Sequence, residues 1–421
     1  MSTDQVAQVS KPTVLVLAST YPRWRGDPEP GFVHDLCRRL TDRFEVIALV
    51  PDAPGADPDG LFDGVDVIRY RYAPRRLQTL VNAGGMAANL QRHAWKWLLL
   101  PGFLLGQYLA ARRVLRHHHV DVIHAHWLIP QGLVAWRLRQ RTGVPYLVTS
   151  HGGDLFGLRG RWSTALKRRV AAAASAMTVV SSAMRDEAAR IGLRPPRLDA
   201  LPMGVDLRER FVVDPEAPRA HAELLFVGRL VAKKGLVHLL DALPAVLAQD
   251  PRVELRIAGF GPEEAALRAQ AQRLGIAAQV HFLGAVTQAD LPALYRRASL
   301  FVAPFVRDAH GDQEGLPVVL MEAIGCGCPV LVGEVAGIHD LLGATGAEVC
   351  LKPADTAALA AAIVKTLADP GQAQTRAQAM REAAARWIDW HPIADGYARL
   401  LRTCIENDAA AIPGKHDLHP V

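Results

Sequence analysis

Cysteine is scarce in this chain. Five occur in 421 residues, at Cys37, Cys326, Cys328, Cys350 and Cys404, odd in number and scattered. No Cys-x-x-Cys pair is present, which argues against a disulfide framework or a zinc ribbon and for reduced thiols in a cytosol. The opening segment MSTDQVAQVSKP has no apolar signal core, so secretion is not expected. Repeats of fixed period are missing, and low complexity is confined to short alanine runs such as 171–174. Gly-x-Gly-x-x-Gly does not follow the first apolar run, which weakens a nicotinamide oxidoreductase. One further absence is local: no acidic residue lies between Asp66 and Asp121.

What is present is globular. Half the residues are hydrophobic and 21% are charged, a composition that builds cores, and the length calls for two or more domains. The net charge of +6 is uneven. Residues 1–205 carry 27 Lys+Arg against 16 Asp+Glu, and residues 206–421 carry 21 against 26. A basic half beside an acidic half suggests that the first half faces an anionic partner, nucleic acid or membrane.

Short β-rich apolar runs alternate with helical patterns: TVLVLAST (13–20), FEVIALV (44–50), VDVIHAH (120–126), VPYLVTS (144–150) and SAMTVVS (175–181). A Pro-rich, charged stretch at 202–221 reads as a linker. The alternation then restarts with AELLFVG (222–228), VELRIAG (253–259), QVHFLG (279–284), SLFVAP (299–304) and PVLVG (329–333). Such alternation predicts α/β architecture with two doubly wound parallel sheets. The carboxyl ends of the strands would line the cleft between them.

Two stretches carry chemistry. In FVGRLVAKKG (226–235) a strand ends at Gly228 and a helix is expected from about Lys233. Arg229 and Lys234 sit on the turn, where a guanidinium and an ammonium suit a diphosphate; the plainer alternative is a solvated basic loop. In GDQEGLPVVLMEAIGCGCPV (311–330) a helix is expected over about 316–325. The amides of Gly315, Leu316 and Val318 would form an anion site at its positive end. Glu314 stands just before that helix and Glu322 within it. Glu314 would accept bonds from sugar hydroxyls, and Glu322 the two hydroxyls of a ribose. The alternative is two surface charges, Glu314 capping the helix. Glu322 between VVLM and AIGCGCPV keeps apolar company, and a charge there needs a partner.

These motifs together resemble glycosyltransferase family 4, retaining enzymes of the GT-B fold; GDQEGLP is similar to the subset that builds exopolysaccharide and lipopolysaccharide. The likeness spans nearly the whole chain and is strongest over 222–335. It implies two Rossmann-like domains, residues 1–205 for the acceptor and 206–387 for the donor, with the last helix, about 388–406, returning to the first domain. By position, Arg229 and Lys234 would hold the diphosphate of a nucleotide sugar. Glu314 would lie over the sugar and Glu322 on the ribose, and the backbone of Gly315, Leu316, Pro317 and Val318 would meet sugar and phosphates. Gly228 and Gly261, the latter in AGFGPEE, would line the donor.

The resemblance places TSHGGDL (149–155) in the cleft, with His151 near the anomeric carbon and Asp154 on the acceptor side. His124 and His126 share one face of a strand end. Two histidines are short of a metal set, no third ligand is evident and the family needs none, so no metal or cofactor is expected; acceptor-side or structural histidines are the alternatives, and His126 is placed on the acceptor side. Many family members carry a double-glycine loop after the first strand. Here the segment is TYPRWRGDPEPGF, and Gly31 at a helix start takes that place.

The segment 92–119 mixes Trp, Leu and Phe with Arg and Lys. Its apolar part, 97–111, is too short to span a bilayer. A core helix and an interfacial helix on an anionic membrane are both open, and the missing acids favour the membrane. No aromatic-basic strand platform for nucleic acid is seen. The function expected is retaining, metal-independent transfer of a sugar from a nucleotide diphosphate sugar to a hydroxyl of a glycan or lipid-linked acceptor. The setting expected is cytoplasmic, peripheral on the inner membrane face, in bacterial cell-surface polysaccharide synthesis. A nucleotide-sugar epimerase or hydrolase of the same fold, or a non-catalytic nucleotide-sugar-binding module, are the alternatives.

Overall fold

The alternation of apolar runs becomes two sheets in a computed structural model describing residues 10–82, 85–309 and 311–411. The first contains β1 Thr13–Leu17, β2 Glu45–Pro51, β3 Gly60–Phe62, β4 Val65–Tyr70, β5 Val122–His126, β6 Tyr146–Ser150, β7 Ala176–Val179 and β8 Leu198–Ala200. Their order is β3-β4-β2-β1-β5-β6-β7-β8, parallel except for the β3–β4 hairpin. The second contains β9 Glu223–Val227, β10 Glu254–Ala258, β11 Val280–Gly284, β12 Leu300–Ala303, β13 Val330–Gly333 and β14 Cys350–Leu351. Its order is β11-β10-β9-β12-β13-β14, parallel throughout. Every residue of β5, β6, β7, β9, β12 and β13 is buried. Helices cover both faces of a parallel sheet, so its strands read as unbroken apolar runs.

Strand order fixes where a ligand can sit. In the first sheet the chain winds from β1 out to β4 and returns to β5 beside β1. In the second it winds from β9 to β11 and returns to β12 beside β9. Each return opens a crevice at the carboxyl ends of the strands. The loops after β1, β5 and β6 border the first crevice, and those after β9 and β12 the second.

The last helix, Trp390–Ala411, returns to the first domain. Trp390, Ile393, Tyr397 and Leu401 join a core with Val14, Leu36, Leu40 and Val46. Each such fully buried side chain contributes roughly 1.5–3 kcal/mol of burial free energy. Tyr397 Oη donates to Leu201 O at 3.0 Å, so its one polar atom is satisfied. The two chain crossings between domains lie side by side: Val205 N donates to Ile388 O at 2.9 Å and Trp390 N to Val205 O at 3.3 Å.

Two expected helix starts move. The helix expected from about Lys233 begins at Leu236, because Gly235 takes a left-handed turn at φ +68°. A Cβ on Gly235 would lie 1.8 Å from Pro304 O, so only glycine fits. The Glu322 helix runs Val318–Gly325, with Pro317 as its N-cap. The last helix stays regular to Ala411, past the end expected at about 406, and residues 412–421 lie outside the described residues, as do 1–9.

The 92–119 segment forms a short 3₁₀ turn, Ala94–Leu99, and the helix Leu100–His117. It has two faces. Phe103, Gln107, Ala111 and Val114 are buried. Gly102 and Gly106 let the helix press on the backbone just after β4, since a Cβ at Gly102 would meet Tyr72 O at 2.4 Å and one at Gly106 Arg71 O at 2.6 Å. The outer face exposes Trp97 by 56%, Leu98 by 81%, Leu105 by 57% and Leu109 by 52%. Among the described residues no helix is long and apolar enough to cross a membrane.

Candidate active site

In the second domain a knot of charge sits on the turn after β9. Glu314 Oε1 lies 3.4 Å from Lys233 Nζ, and Oε2 lies 3.4 Å from Lys234 Nζ. Lys233 also reaches Asp312 Oδ2 at 3.2 Å. Lys234 is buried, with Nζ 4.8 Å from the ring centre of Phe305. Burial opposes ionisation of Glu314, but Lys233, Lys234 and Arg229 outweigh it and hold the carboxyl down at about 2. Burial lowers Lys234 below the usual lysine value. Lys233 is only partly buried, and with Asp312 as a second acidic partner beside Glu314 its pKa is raised. A compact positive pair thus faces one carboxylate, beside the amino end of the Val318–Gly325 helix. Lys233 was not singled out in the sequence; its signal is only that it neighbours Lys234 on a turn.

Glu322 is 2% exposed and accepts a hydrogen bond from Tyr295 Oη at 2.9 Å. Burial pushes its carboxyl up to about 7, although Tyr295 and Gln288 pull the other way by hydrogen bonding. The partner that apolar company demands is therefore a tyrosine. Gly228, at φ +152°, takes a backbone conformation that favours glycine and stands beside the Lys234 stem, where a Cβ would lie 3.5 Å from Lys234 Cε. Gly261 packs on backbone, since a Cβ would fall 2.4 Å from Leu230 O. Its loop is tied down by Leu230 N donating to Phe260 O at 2.9 Å.

In the facing domain His151 follows β6, its ring boxed by Phe32 at 5.1 Å and Trp127 at 4.8 Å between centres. Gly31, the N-cap of the helix Phe32–Leu40, is thereby placed next to the His151 box. Neither Phe32 nor Trp127 was picked from the sequence. Asp154 is buried and its oxygens are already engaged. Oδ1 accepts from Ser150 Oγ at 2.9 Å and His151 N at 3.2 Å, and Oδ2 from Leu128 N at 2.7 Å. It fixes the loop that carries His151 rather than facing the cleft. His126 is fully buried, behind His151 rather than beside an acceptor. Its Nδ1 lies 2.9 Å from His151 Nε2. Among the described residues no three His, Cys, Asp or Glu side chains are grouped to hold a metal ion.

The halves meet through backbone. A Cβ on Gly152, at φ +112°, would lie 2.9 Å from Gly315 N. One on Gly315 would lie 2.8 Å from His151 O. One on Gly85 would lie 2.6 Å from Arg229 Nη1, so the guanidinium reaches the other domain. Ser182 N donates to Asp340 Oδ2 at 2.6 Å across the same boundary. Arg229, Lys234, Glu314 and the Gly315–Val318 backbone therefore confront His151 over one narrow cleft.

Two parallel α/β domains with a charged cleft between them define the GT-B class of glycosyltransferase. Comparison with known proteins gives the family. The description "Glycosyltransferase Family 4" matches residues 32–209, and "Glycosyl transferases group 1" matches residues 208–387. The chain is 33% identical over 390 residues to a protein named glycogen synthase from Mycobacterium tuberculosis, covering 87% of this chain and 89% of that one. It is 33% identical over 294 residues to a GDP-mannose-dependent α-(1-6)-phosphatidylinositol monomannoside mannosyltransferase of Mycolicibacterium smegmatis, covering 66% and 74%. In fold it is similar to sucrose-phosphate synthase of Thermosynechococcus elongatus, with TM-score 0.76, 22% identity, and 94% and 100% of the two chains covered. It is also similar to an Anabaena protein solved with UDP-glucose, with TM-score 0.69, 19% identity, and 93% and 99% covered. The chain belongs to glycosyltransferase family 4, and its activity class is that of a hexosyltransferase.

Proposed function

We propose that the protein moves a sugar, with retention and without a resident metal or cofactor, from a nucleotide diphosphate sugar to a hydroxyl of a saccharide acceptor. The observation that carries this reading is the convergence of Arg229, Lys234 and the amino end of the Val318–Gly325 helix on one side of a cleft whose other wall is His151. Charge grows on the β-phosphate as the glycosidic bond breaks. Two cations and a helix dipole already aimed there stabilise it without reorganising. Lys234 would exchange Glu314 for the diphosphate, leaving Lys233 to hold Glu314 against the sugar. Tyr295 and Glu322 would take the ribose.

The acceptor favoured is lipid-linked, at the cytoplasmic face of an anionic membrane, in cell-surface polysaccharide synthesis. Support comes from the exposed Trp97, Leu98, Leu105 and Leu109 face, in a stretch of sequence without acids. The smegmatis relative is itself named as a phosphatidylinositol monomannoside mannosyltransferase. The test is a thermal-shift screen against UDP-, GDP- and ADP-sugars. A ligand at about 100 times its Kd raises stability by ~2.7 kcal/mol. One nucleotide series should shift the melt, and the hit should then be consumed only when a membrane acceptor is added. No shift with any nucleotide sugar would sink the reading; consumption without acceptor would make the protein an epimerase or hydrolase.

A further inference from the structure

Behind His151 lies His126, a fully buried histidine. His126 Nδ1 and His151 Nε2 are 2.9 Å apart. The rings are within 13° of coplanar, with centres 5.2 Å apart. That is too far for a face-to-face stack and fits an in-plane N–H···N bond. One nitrogen must donate and the other accept, because each neutral imidazole has one of each. His126 Nε2 is buried and has no partner among the described residues. If His151 Nε2 were the donor, the His126 proton would sit on that isolated Nε2, as a buried N–H with nothing to receive it. If His126 donates, Nε2 is only an idle lone pair, which costs less than a stranded donor.

The same accounting applies one residue pair further in. His124 is fully buried, its Nε2 lies 2.8 Å from Thr149 Oγ1, and its Nδ1 has no partner among the described residues. It therefore donates through Nε2, and Thr149 passes the bond to Thr178 at 2.7 Å. Burial pushes the pKa values of His124, His126 and His151 down, in keeping with neutral rings. The His124 ring packs at 4.2 Å on His126 and at 5.5 Å on Tyr397, which brings the last helix to the back of the cluster.

We infer that His126 is a positioning residue that locks His151 in the Nδ1–H tautomer, so that His151 meets the substrate as a neutral hydrogen-bond donor and not as a base or nucleophile. Its Nε2 lone pair is engaged by His126. Its Nδ1 carries the proton and has no partner among the described residues. The inference rests on the glycosyl-transfer reading only for the identity of what Nδ1 meets.

The test is ¹⁵N NMR of histidine-labelled full-length protein. Wild type should show His151 with a protonated Nδ1 and a hydrogen-bonded acceptor Nε2. His126→Leu should lose that signature and cut kcat by about tenfold, with the KM for donor little changed. His126→Asn, whose amide can donate from nearly the position of Nδ1, should restore both. A protonated Nε2 on His151 in wild type would overturn the inference. So would a His126→Leu protein with unaltered tautomer and kcat. The spectrum requires no turnover, so a wrong assignment of the reaction would leave the tautomer result standing.

Discussion

Glu314 divides its carboxylate between two lysines, Oε1 toward Lys233 and Oε2 toward Lys234, each 3.4 Å away. The lysines are adjacent in sequence but not equivalent. Beyond Glu314, Lys233 has Asp312 as a second acidic anchor, and Lys234 lies over the face of Phe305 with no second acidic partner among the described residues. Lys234 is thus the one available to a diphosphate. Lys234→Ala or Arg229→Ala should lower kcat/KM by about 10²–10³-fold, the scale of losing one preorganised charge donor, with the fold intact by circular dichroism. Lys233→Ala should behave oppositely: a loss of stability of about 1–3 kcal/mol from the stranded carboxylates, and a smaller fall in turnover. Near wild-type kinetics in both Arg229→Ala and Lys234→Ala would remove the basis for the site.

The same knot predicts an acid limb of stability. The folded-state pKa of Glu314 lies at about 2, below its ordinary 4.5. A depressed carboxyl stabilises the fold above its unfolded pKa, and that contribution is lost as pH falls from about 4.5 towards 2. It amounts to about 3 kcal/mol. Glu314→Gln should melt lower than wild type at pH 6, and the gap should narrow to about a quarter of that by pH 2.5.

Glu322 predicts the reverse sign. Its carboxyl is held near 7, so the fold prefers it protonated and loses stability as pH rises from about 4.5 to 7. Ribose hydroxyls donate to a carboxylate and would favour the ionised form. Nucleotide binding should therefore release a proton below pH 7, and affinity should weaken towards tenfold per pH unit on the acid side. Calorimetry in two buffers of different ionisation heat measures that proton directly. Glu322→Gln should abolish the release. Tyr295→Phe removes a bond that stabilises the anion, and should move the midpoint up. Binding that is flat in pH and releases no proton would place the ribose elsewhere.

Much of this was legible in the sequence because buried parallel strands leave unbroken apolar runs. β1, β2, β5, β6, β7 and β9–β13 all fall within or one residue beyond the predicted stretches. Missed were β3, β8 and β14, of two or three residues at or near sheet edges, and β4, which lies in a stretch where no motif drew attention. Glu322 was legible because it breaks an apolar context, and Arg229, Lys234 and Glu314 because they stand on the turns that follow buried strands. The His126–His151 bond was not, since it depends on β5 and β6 being neighbours with His126 opposite Thr149. Nor was the engagement of Asp154 inside its own loop, which needs the backbone of Leu128 from another element.

The membrane reading turns on side chains that do nothing for the core. Trp97, Leu98 and Leu105 are more than half exposed. Replacing all three by serine should change stability little, each within about ±0.5 kcal/mol. The same triple variant should lose co-sedimentation with phosphatidylglycerol-rich vesicles. Wild-type binding should weaken as salt rises from low ionic strength to about 0.1 M and beyond, where the Debye length falls to ~10 Å. Retained vesicle binding by the triple variant would restrict the stretch to its core role.

The Gly152–Gly315 contact offers the sharpest separation of fold from function. A methyl on Gly152 would sit 2.9 Å from Gly315 N and 3.0 Å from its Cα, both backbone atoms that cannot swing aside. Gly153, its neighbour, has nothing within 4 Å of the same methyl position. The sequence shows two adjacent glycines in one loop, and the structure distinguishes them. Gly152→Ala should hold the domains apart at the reacting centre and lower kcat/KM by about 10²-fold, the scale of an ångström-sized misplacement. Nucleotide affinity should survive, because the residues proposed for the diphosphate and ribose lie on the other domain. Backbone strain at φ +112° would add about 1–3 kcal/mol of destabilisation, visible in the melt. Gly153→Ala should match wild type in kinetics and melt. Equal losses in the two variants would mean that the loop's flexibility matters, and not the approach of Gly152 to Gly315.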